Sequence, residues 1–300
     1  MTRKYLLIGL LFCFACAAKK DKALDVEAYK AGIEEWHSKR VNNDLKGPQG
    51  WLNLAGLFWL NEGFNTFGSG DSNDIIFPQG KIEEQAGTFV VQKGEVTLQV
   101  QPGVEIKIDT TLVSNQIIFS EDMENTPVLR RGSLEWLVLS RGGKLAVRLR
   151  DLDGDAVKNF PGVERYPVDP AWRIEGKFQK YAESKTIDIT NILGQTYPQP
   201  NPGLLIFNIG GKEFRLDALS EGGPEYFIIF GDQTNEHETY PSGRYMYVEP
   251  EDEEGNVVID FNKAYNPPCA FTEFATCPLP PKQNVLDVAI TSGEKNFGKH

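Results

Sequence analysis

The sequence has few of the side chains that usually hold metals. Its 300 residues contain three histidines and four cysteines. Structural zinc sites generally combine four such ligands, often in Cys-x-x-Cys spacing, and the pair Cys269 and Cys277 is spaced more widely than that. We therefore predict no metal site.

Signatures of the common enzyme classes are also missing. The sequence has no Gly-x-Ser-x-Gly elbow, no phosphate loop, no dinucleotide fingerprint and no His-Glu pair of the zinc hydrolases. A cofactor therefore stays unknown, and the sequence leaves open whether the protein is an enzyme.

Positive charge is scarce. The chain has 31 Lys and Arg against 42 Asp and Glu, which gives a net charge of −11. Proteins that bind nucleic acid neutralise phosphates with an excess of basic residues. We therefore expect no nucleic acid partner.

The apolar run near the N-terminus is too short to cross a bilayer. It covers residues 5–15 after Arg3 and Lys4, whereas a transmembrane helix needs about 20 apolar residues. A basic start followed by a short apolar run is typical of a signal peptide. We assign this signal peptide to residues 1–15.

Cys16 follows Ala15 and precedes Ala-Ala-Lys-Lys-Asp-Lys, a pattern that resembles a bacterial lipoprotein cleavage site. The sequence thus predicts a lipidated tether over residues 16–24 on a protein exported to the bacterial cell envelope. The lipid would be its only membrane contact. The alternative is ordinary secretion with cleavage after Ala15, Ala17 or Ala18.

The remaining pattern predicts one helix followed by many strands. Asp25 is suited to cap a helix that runs to about Arg40. From Trp51 onward, about fourteen short apolar or alternating runs are separated by Gly, Pro, Asn and Asp, as is typical of strands. We predict an all-β fold, mainly an antiparallel sandwich or barrel-like sheet, with one N-terminal helix, in a single domain from 25 to 295.

The run from Asp260 to Pro281 has an unusual composition for a core segment. It combines two thiols, side-chain amides, a phenol and five prolines. Proline fixes φ and donates no backbone hydrogen bond, so the path is irregular but stiff, as expected of a segment that builds a site. Its two thiols, Cys269 and Cys277, are compatible with a disulfide in an exported protein, or with a thiolate nucleophile or redox pair.

Several segments together resemble the uncharacterised bacterial and archaeal family called domain of unknown function 1684. The resembling segments are 50–60, 148–151, 230–234 with 239–245, 260–281 and 293–295. As the name says, the resemblance implies no established activity. It does indicate which segments to inspect for a site.

Polar residues in these segments are the candidate site. Arg148 and Arg150 share one face of a strand and are able to converge on an anion, or to form cross-strand ion pairs. The loop from Gly231 to Gly243 carries groups suited to proton transfer or to turn formation. We assign candidate catalytic roles to Asp232, Tyr240 and Cys269, and candidate substrate-binding roles to Arg148, Arg150, Arg244, Asn262 and Asn266.

We expect these groups to share one cavity, because strand ends and stiff loops often meet at one edge of a sheet. The side chains of Trp51 and Trp59 lie on the same side of the segment if it is extended. They are suited to the core or to the floor of a pocket. Three functions stay open. One is an envelope enzyme acting on a small anionic or hydroxylated substrate, and a second is a lipoprotein that binds such a ligand without turnover. The third is an interaction or structural module of the envelope.

The tether generates the first testable prediction. Cys16 should be the lipidated N-terminus of the mature protein, and Cys16→Ser should release the protein from the membrane fraction. Mass spectrometry of the N-terminus checks this, and an unmodified N-terminus at Ala17 or later would contradict it.

Overall fold

A computed structural model describes residues 24–298, apart from the side chain of Ser184. The predicted signal peptide and Cys16 lie outside the described residues. The fold is mostly β, with one N-terminal helix, as the sequence predicts. No helix among the described residues has the length and apolar character needed to cross a membrane.

Helix α1 (Val26–Lys39) begins where the sequence predicts. Asp25 caps it, with Oδ1 accepting a hydrogen bond from the Ala28 amide at 3.1 Å. The helix does not end at Lys39 but continues as a π-helical turn, Arg40–Leu45. A second, four-residue helix, α2 (Asp155–Lys158), lies between the two groups of strands.

The first group of strands forms a sandwich of two sheets. A six-stranded sheet has the order β1-β11-β10-β9-β6-β7, and a five-stranded sheet has the order β3-β2-β4-β5-β8. All pairings are antiparallel except that of β2 with β3. The strands are β1 (Leu54–Trp59), β2 (Gly63–Gly68), β3 (Ile75–Ile76), β4 (Gly87–Gln92), β5 (Glu95–Val100), β6 (Ile106–Ile108), β7 (Thr111–Val113), β8 (Asn115–Phe119), β9 (Leu129–Arg131), β10 (Leu134–Arg141) and β11 (Lys144–Asp151).

The core of this sandwich lies between its sheets. Phe67 and Phe89 from one sheet share a buried cluster with Trp136 and Val147 from the other. The rings of Phe67 and Phe89 stack at 4.3 Å, and the Phe67 ring lies 6.2 Å from that of Trp136. Successive side chains of a strand point to opposite faces, so the apolar residues that alternate in the sequence lie on the inward face of each sheet.

The second group of strands forms a four-stranded sheet, β14-β13-β12-β17, and a hairpin, β15-β16. Both contribute to one buried cluster, with Phe207 from the sheet and Phe230 and Met246 from the hairpin. The strands are β12 (Arg173–Thr190), β13 (Thr196–Ile209), β14 (Lys212–Ala218), β15 (Tyr226–Phe230), β16 (Arg244–Val248) and β17 (Asn256–Asp260).

The C-terminal segment after β17 lies against both groups of strands. The Arg148 guanidinium on β11 donates to the carbonyl of Phe274, while the Tyr245 hydroxyl on β16 donates to the carbonyl of Pro278 at 2.6 Å. A disulfide between Cys269 and Cys277 closes this stretch. The segment therefore joins the two groups, and the single domain from 25 to 295 stays a prediction.

The disulfide should contribute measurably to stability. Closing an eight-residue loop is worth about 2.5 kcal/mol in the chain-entropy model, and less where prolines already restrict the unfolded chain. The Cys269→Ser, Cys277→Ser double variant should therefore unfold at lower urea concentration than the oxidised protein. Equal midpoints for the two proteins would contradict this.

Candidate functional site

Asp232 and Arg244 form a completely buried ion pair. The Arg244 Nη2 atom lies 2.8 Å from Asp232 Oδ2, and both side chains are 0% exposed. Arg244 also donates to the carbonyls of Ser292 and Ile290, and Asp232 Oδ1 accepts from the Thr234 amide at 2.9 Å. Both charges are therefore paired inside the protein, where they fix the 231–243 loop against the C-terminal segment.

Neither of the other two candidate catalytic groups is in a form that acts as a nucleophile or a base. Cys269 is bonded to Cys277, which is the disulfide alternative that the sequence left open, and a disulfide sulfur is not a thiolate. Tyr240 is buried, and burial raises the pKa of its hydroxyl above the usual value. A raised pKa keeps the phenol protonated at neutral pH.

Arg148 and Arg150 fasten loops to the first sheet. Arg148 binds the Phe274 carbonyl, and the Arg150 Nη1 atom donates to the carbonyls of Gln49 and Gly50 at 3.0 Å each. Burial, and then the nearby charges of Arg141 and Arg150, lower the pKa of Arg148 to about 10. The cavity that Arg148 and Arg150 border has a volume of about 10 Å³, which is room for a single water molecule.

The two candidate asparagines have different surroundings. The Asn262 side chain accepts from the Asp169 amide at 2.9 Å and donates to the Asp169 carbonyl at 2.9 Å, so it is satisfied by the protein. The Asn266 amide nitrogen Nδ2 donates to the Lys295 carbonyl at 2.7 Å. Its buried Oδ1 atom, however, has no hydrogen-bond partner among the described residues.

The candidate site residues predicted from the sequence do not line one common cavity. Arg148 and Arg150 border the water-sized cavity, whereas Asp232 borders a separate one of about 450 Å³ beside Pro280. Neither of these two cavities, nor either of the two described below, is lined by all three of the segments expected to meet. Four of the eight candidate side chains instead form long-range hydrogen bonds with the backbone of the C-terminal segment; they are Arg148, Asp232, Arg244 and Asn266.

Sequence reasoning missed a pocket at the π-helical turn. Its key side chain is Arg40, which is only 3% exposed. The Arg40 Nε atom lies 2.6 Å from Glu294 Oε1, and Nη2 lies 3.3 Å from Glu294 Oε2, so the carboxylate grips the guanidinium at two points. Nη2 also donates to the Asn266 carbonyl at 3.1 Å.

Aromatic rings enclose the same guanidinium. The Arg40 Cζ atom lies 4.8 Å from the centre of the Trp51 ring and 4.2 Å from that of Tyr265. Such cation–π contacts stabilise a desolvated guanidinium by about 2 kcal/mol. Arg40 is therefore held rigidly in one orientation by an acid and two rings.

We call the adjoining space the Arg40 pocket; it has a volume of about 340 Å³. Its lining residues are Arg40, Asn43, Asp44, Gln49, Trp51, Tyr247 and Tyr265. Arg40 Nη1 is 3.8 Å from Asp44 Oδ2, which is too far for a hydrogen bond. Burial raises the pKa of Asp44, and the Arg40 charge opposes that rise.

The pocket therefore offers a fixed guanidinium edge, two amides, a carboxylate and flat aromatic walls. These groups donate to and accept from hydroxyls, while the rings pack against apolar faces. Three of the lining residues belong to the π-helical turn, a rare geometry that is frequent at functional sites. Arrangements of this kind bind small polar organic molecules.

Two sequence signals pointed toward this pocket. Trp51 was expected in the core or at the floor of a pocket, and it does line the Arg40 pocket, whereas Trp59 does not. Glu294 lies in one of the segments that carry the family resemblance. Arg40 itself looked like a residue that ends a helix, and no pattern in the sequence indicated a π-helical turn.

Glu294 should be important for stability. Glu294→Gln removes the charge that pairs with buried Arg40, and an uncompensated buried charge typically costs about 3–5 kcal/mol. We expect a clear loss of unfolding free energy in urea titrations. The matched control is Glu35→Gln, which breaks an exposed pair with Lys39 and should leave the midpoint unchanged. Equal midpoints for both variants would contradict the structural role.

The chain matches one protein-family model, described as "Protein of unknown function (DUF1684)", over residues 158–295. The resembling segments 50–60 and 148–151 lie before this match. Within the Arg40 pocket, Tyr247 and Tyr265 lie inside the matched region, whereas the π-helical turn and Trp51 lie outside it.

No curated protein matches this sequence. Among solved structures, one similar chain is an uncharacterised protein of Haloarcula marismortui determined by solution NMR. It is 29% identical, covers 46% of this chain and 78% of its own, and superposes with a TM-score of 0.39. The family resemblance predicted from the sequence is thus confirmed over residues 158–295, which match the model of this uncharacterised family.

Proposed function

We propose that this protein binds a small hydroxylated ligand in the Arg40 pocket without turning it over. The observation that carries the proposal is the buried guanidinium of Arg40, which is held by Glu294 and covered by two rings. Its Nη1 atom lies 3.8 Å from Oδ2 of Asp44, another lining residue, and has no hydrogen-bond acceptor within reach among the described residues. A rigid donor in a desolvated setting contributes to affinity because little entropy is lost when a ligand binds it.

The local charge favours a neutral hydroxylated ligand over an anionic one. The positive charge of Arg40 is already offset by Glu294, and Asp44 adds a second carboxylate 3.8 Å away. An anion in the pocket would meet this acidic excess, whereas a hydroxyl is able to donate to Asp44 and accept from Arg40. Aromatic walls suit the apolar faces of such molecules.

Binding is favoured over catalysis by the state of the candidate catalytic groups. Asp232 is fully paired with Arg244, Cys269 is oxidised, and Tyr240 has a raised pKa. General acids and bases need a pKa near the working pH and a path to the substrate. None of the three lines the Arg40 pocket.

We also propose that the protein works in the cell envelope, tethered through Cys16. The basic start, the short apolar run and the cysteine after Ala15 support export and lipidation. The disulfide between Cys269 and Cys277 supports the same compartment, because structural disulfides persist mainly in oxidising surroundings.

Two exposed amides provide a test of the Arg40 pocket. We expect Asn43→Ala and Gln49→Ala each to weaken binding of a hydroxylated ligand by about fivefold to tenfold, since each loses a hydrogen bond worth about 1 kcal/mol. The measurement is calorimetric titration of the mature protein with monosaccharides, polyols and small organic acids. Asn42→Ala, in the same turn but outside the pocket, is the matched control.

Three outcomes would overturn the proposal. One is that no hydroxylated compound in the panel binds, and a second is that Asn42→Ala weakens binding as much as Asn43→Ala does. The third is turnover of any panel compound, which would favour the enzyme alternative.

A further inference from the structure

A second and larger cavity lies beneath helix α1. It has a volume of about 970 Å³, at the upper end for small-molecule sites. Tyr29, Gly32 and Trp36 of the helix form one wall, and strands β12 and β17 with the β15-β16 hairpin form the other. We call it the α1 cleft. It is distinct from the Arg40 pocket, although Tyr247 lines both.

Gly32 keeps the helix wall of this cleft free of a side chain. It lies inside the 14-residue helix α1, where glycine costs about 1 kcal/mol relative to alanine. A Cβ atom built at Gly32 meets no other atom within 4 Å, so no neighbouring residue of the protein requires a glycine there. The helix backbone is thus open to an occupant of the cleft.

The charges that line the cleft are unbalanced and unpaired. Five carboxylates face two cations, Arg173 and Lys263. Within the described part of the chain, none of these seven groups forms an ion pair within 4.0 Å. The carboxylates are Glu175, Glu225, Glu249, Asp252 and Asp260.

Two of the carboxylates have their hydrogen bonds satisfied locally. Asp260 accepts from the Tyr29 hydroxyl at 2.9 Å, and Asp252 accepts from the Asn256 amide at 2.7 Å. Glu225 lies against Glu249, and burial together with this neighbour raises the pKa of Glu225. Like charges held together in this way are relieved by a cation that bridges them.

The shape and lining of the cleft indicate which cation fits. The described residues hold no group of three or more side chains placed to bind a metal ion. The acids instead lie on strands β12 and β17 and in the segments that flank strands β15 and β16, around the aromatic side chains of Tyr29, Trp36 and Tyr247. Alkylammonium groups bind both carboxylates and ring faces, and methylene chains pack on aromatic walls.

We propose that the α1 cleft binds a linear organic polyamine, with ammonium groups on Glu225, Glu249 and Glu175 and methylene segments against the rings. This binding site is separate from the hydroxylated-ligand site in the Arg40 pocket and does not depend on it. The acidic net charge of the protein, −11, also favours the approach of a polycation.

Calorimetric titration of the mature protein with spermidine at physiological salt tests the proposal, because salt suppresses non-specific charge attraction. We expect saturable binding to one site. The Glu225→Gln, Glu249→Gln variant should bind at least about tenfold more weakly, since charged hydrogen bonds are lost. The matched control is Glu121→Gln, Glu124→Gln, which neutralises two exposed carboxylates elsewhere and should bind as the wild type does.

A steric variant tests the location independently. Gly32→Leu fills the helix wall of the cleft and should weaken spermidine binding, whereas Ala31→Leu, at the exposed neighbouring position, should not. Asn43→Ala should leave spermidine binding unchanged, which separates this site from the Arg40 pocket. The proposal is overturned if spermidine gives no more heat than Mg²⁺ at equal charge, or if the cleft variants bind as the controls do.

Discussion

The buried contact between Arg40 and Glu294 is the interaction on which the arrangement of the molecule depends. It joins the end of helix α1 to the last described segment of the chain, across 254 residues of sequence. Removing two charges from water is costly and is recovered only when the geometry is good and every remaining donor is satisfied. Here the bidentate carboxylate and the Asn266 carbonyl satisfy Nε and Nη2, and the two rings cover the guanidinium, so that only Nη1 has no acceptor within reach among the described residues.

A second buried pair, Asp232 with Arg244, reaches the same C-terminal stretch. Arg244 donates to the carbonyls of Ile290 and Ser292, while the backbone N–H of Asn266 donates to Glu294 Oε2 at 2.8 Å. This stretch contains no strand among its described residues, so charged side chains add to the isolated β-bridges and single backbone hydrogen bonds that hold it in place. Long-range polar contacts therefore hold this stretch in place, including the part of it that forms a wall of the Arg40 pocket.

The sequence predicted the features that depend on local pattern. Alternating runs separated by turn residues indicated the β fold, and Asp25 indicated the start of helix α1, because both signals act over a few residues. The burial and pairing of Asp232 and Arg244 depend on partners far along the chain. No local sequence pattern distinguishes a buried ion pair from a binding site. Arg40 was read as a helix-end charge for the same reason.

Tyr247 has a consequence for how the two cavities behave together. Its ring borders both of them, its hydroxyl is held by Glu221 at 2.7 Å, and it stacks against Tyr265. A ring fixed at its tip and on its face cannot shift toward one cavity without reshaping the other. If a ligand in one cavity changes the affinity of the other cavity for its ligand by some factor, thermodynamic linkage requires that the second ligand change the affinity for the first by the same factor. Each cavity has its own polar groups, and the Tyr247 ring is the partition that they share.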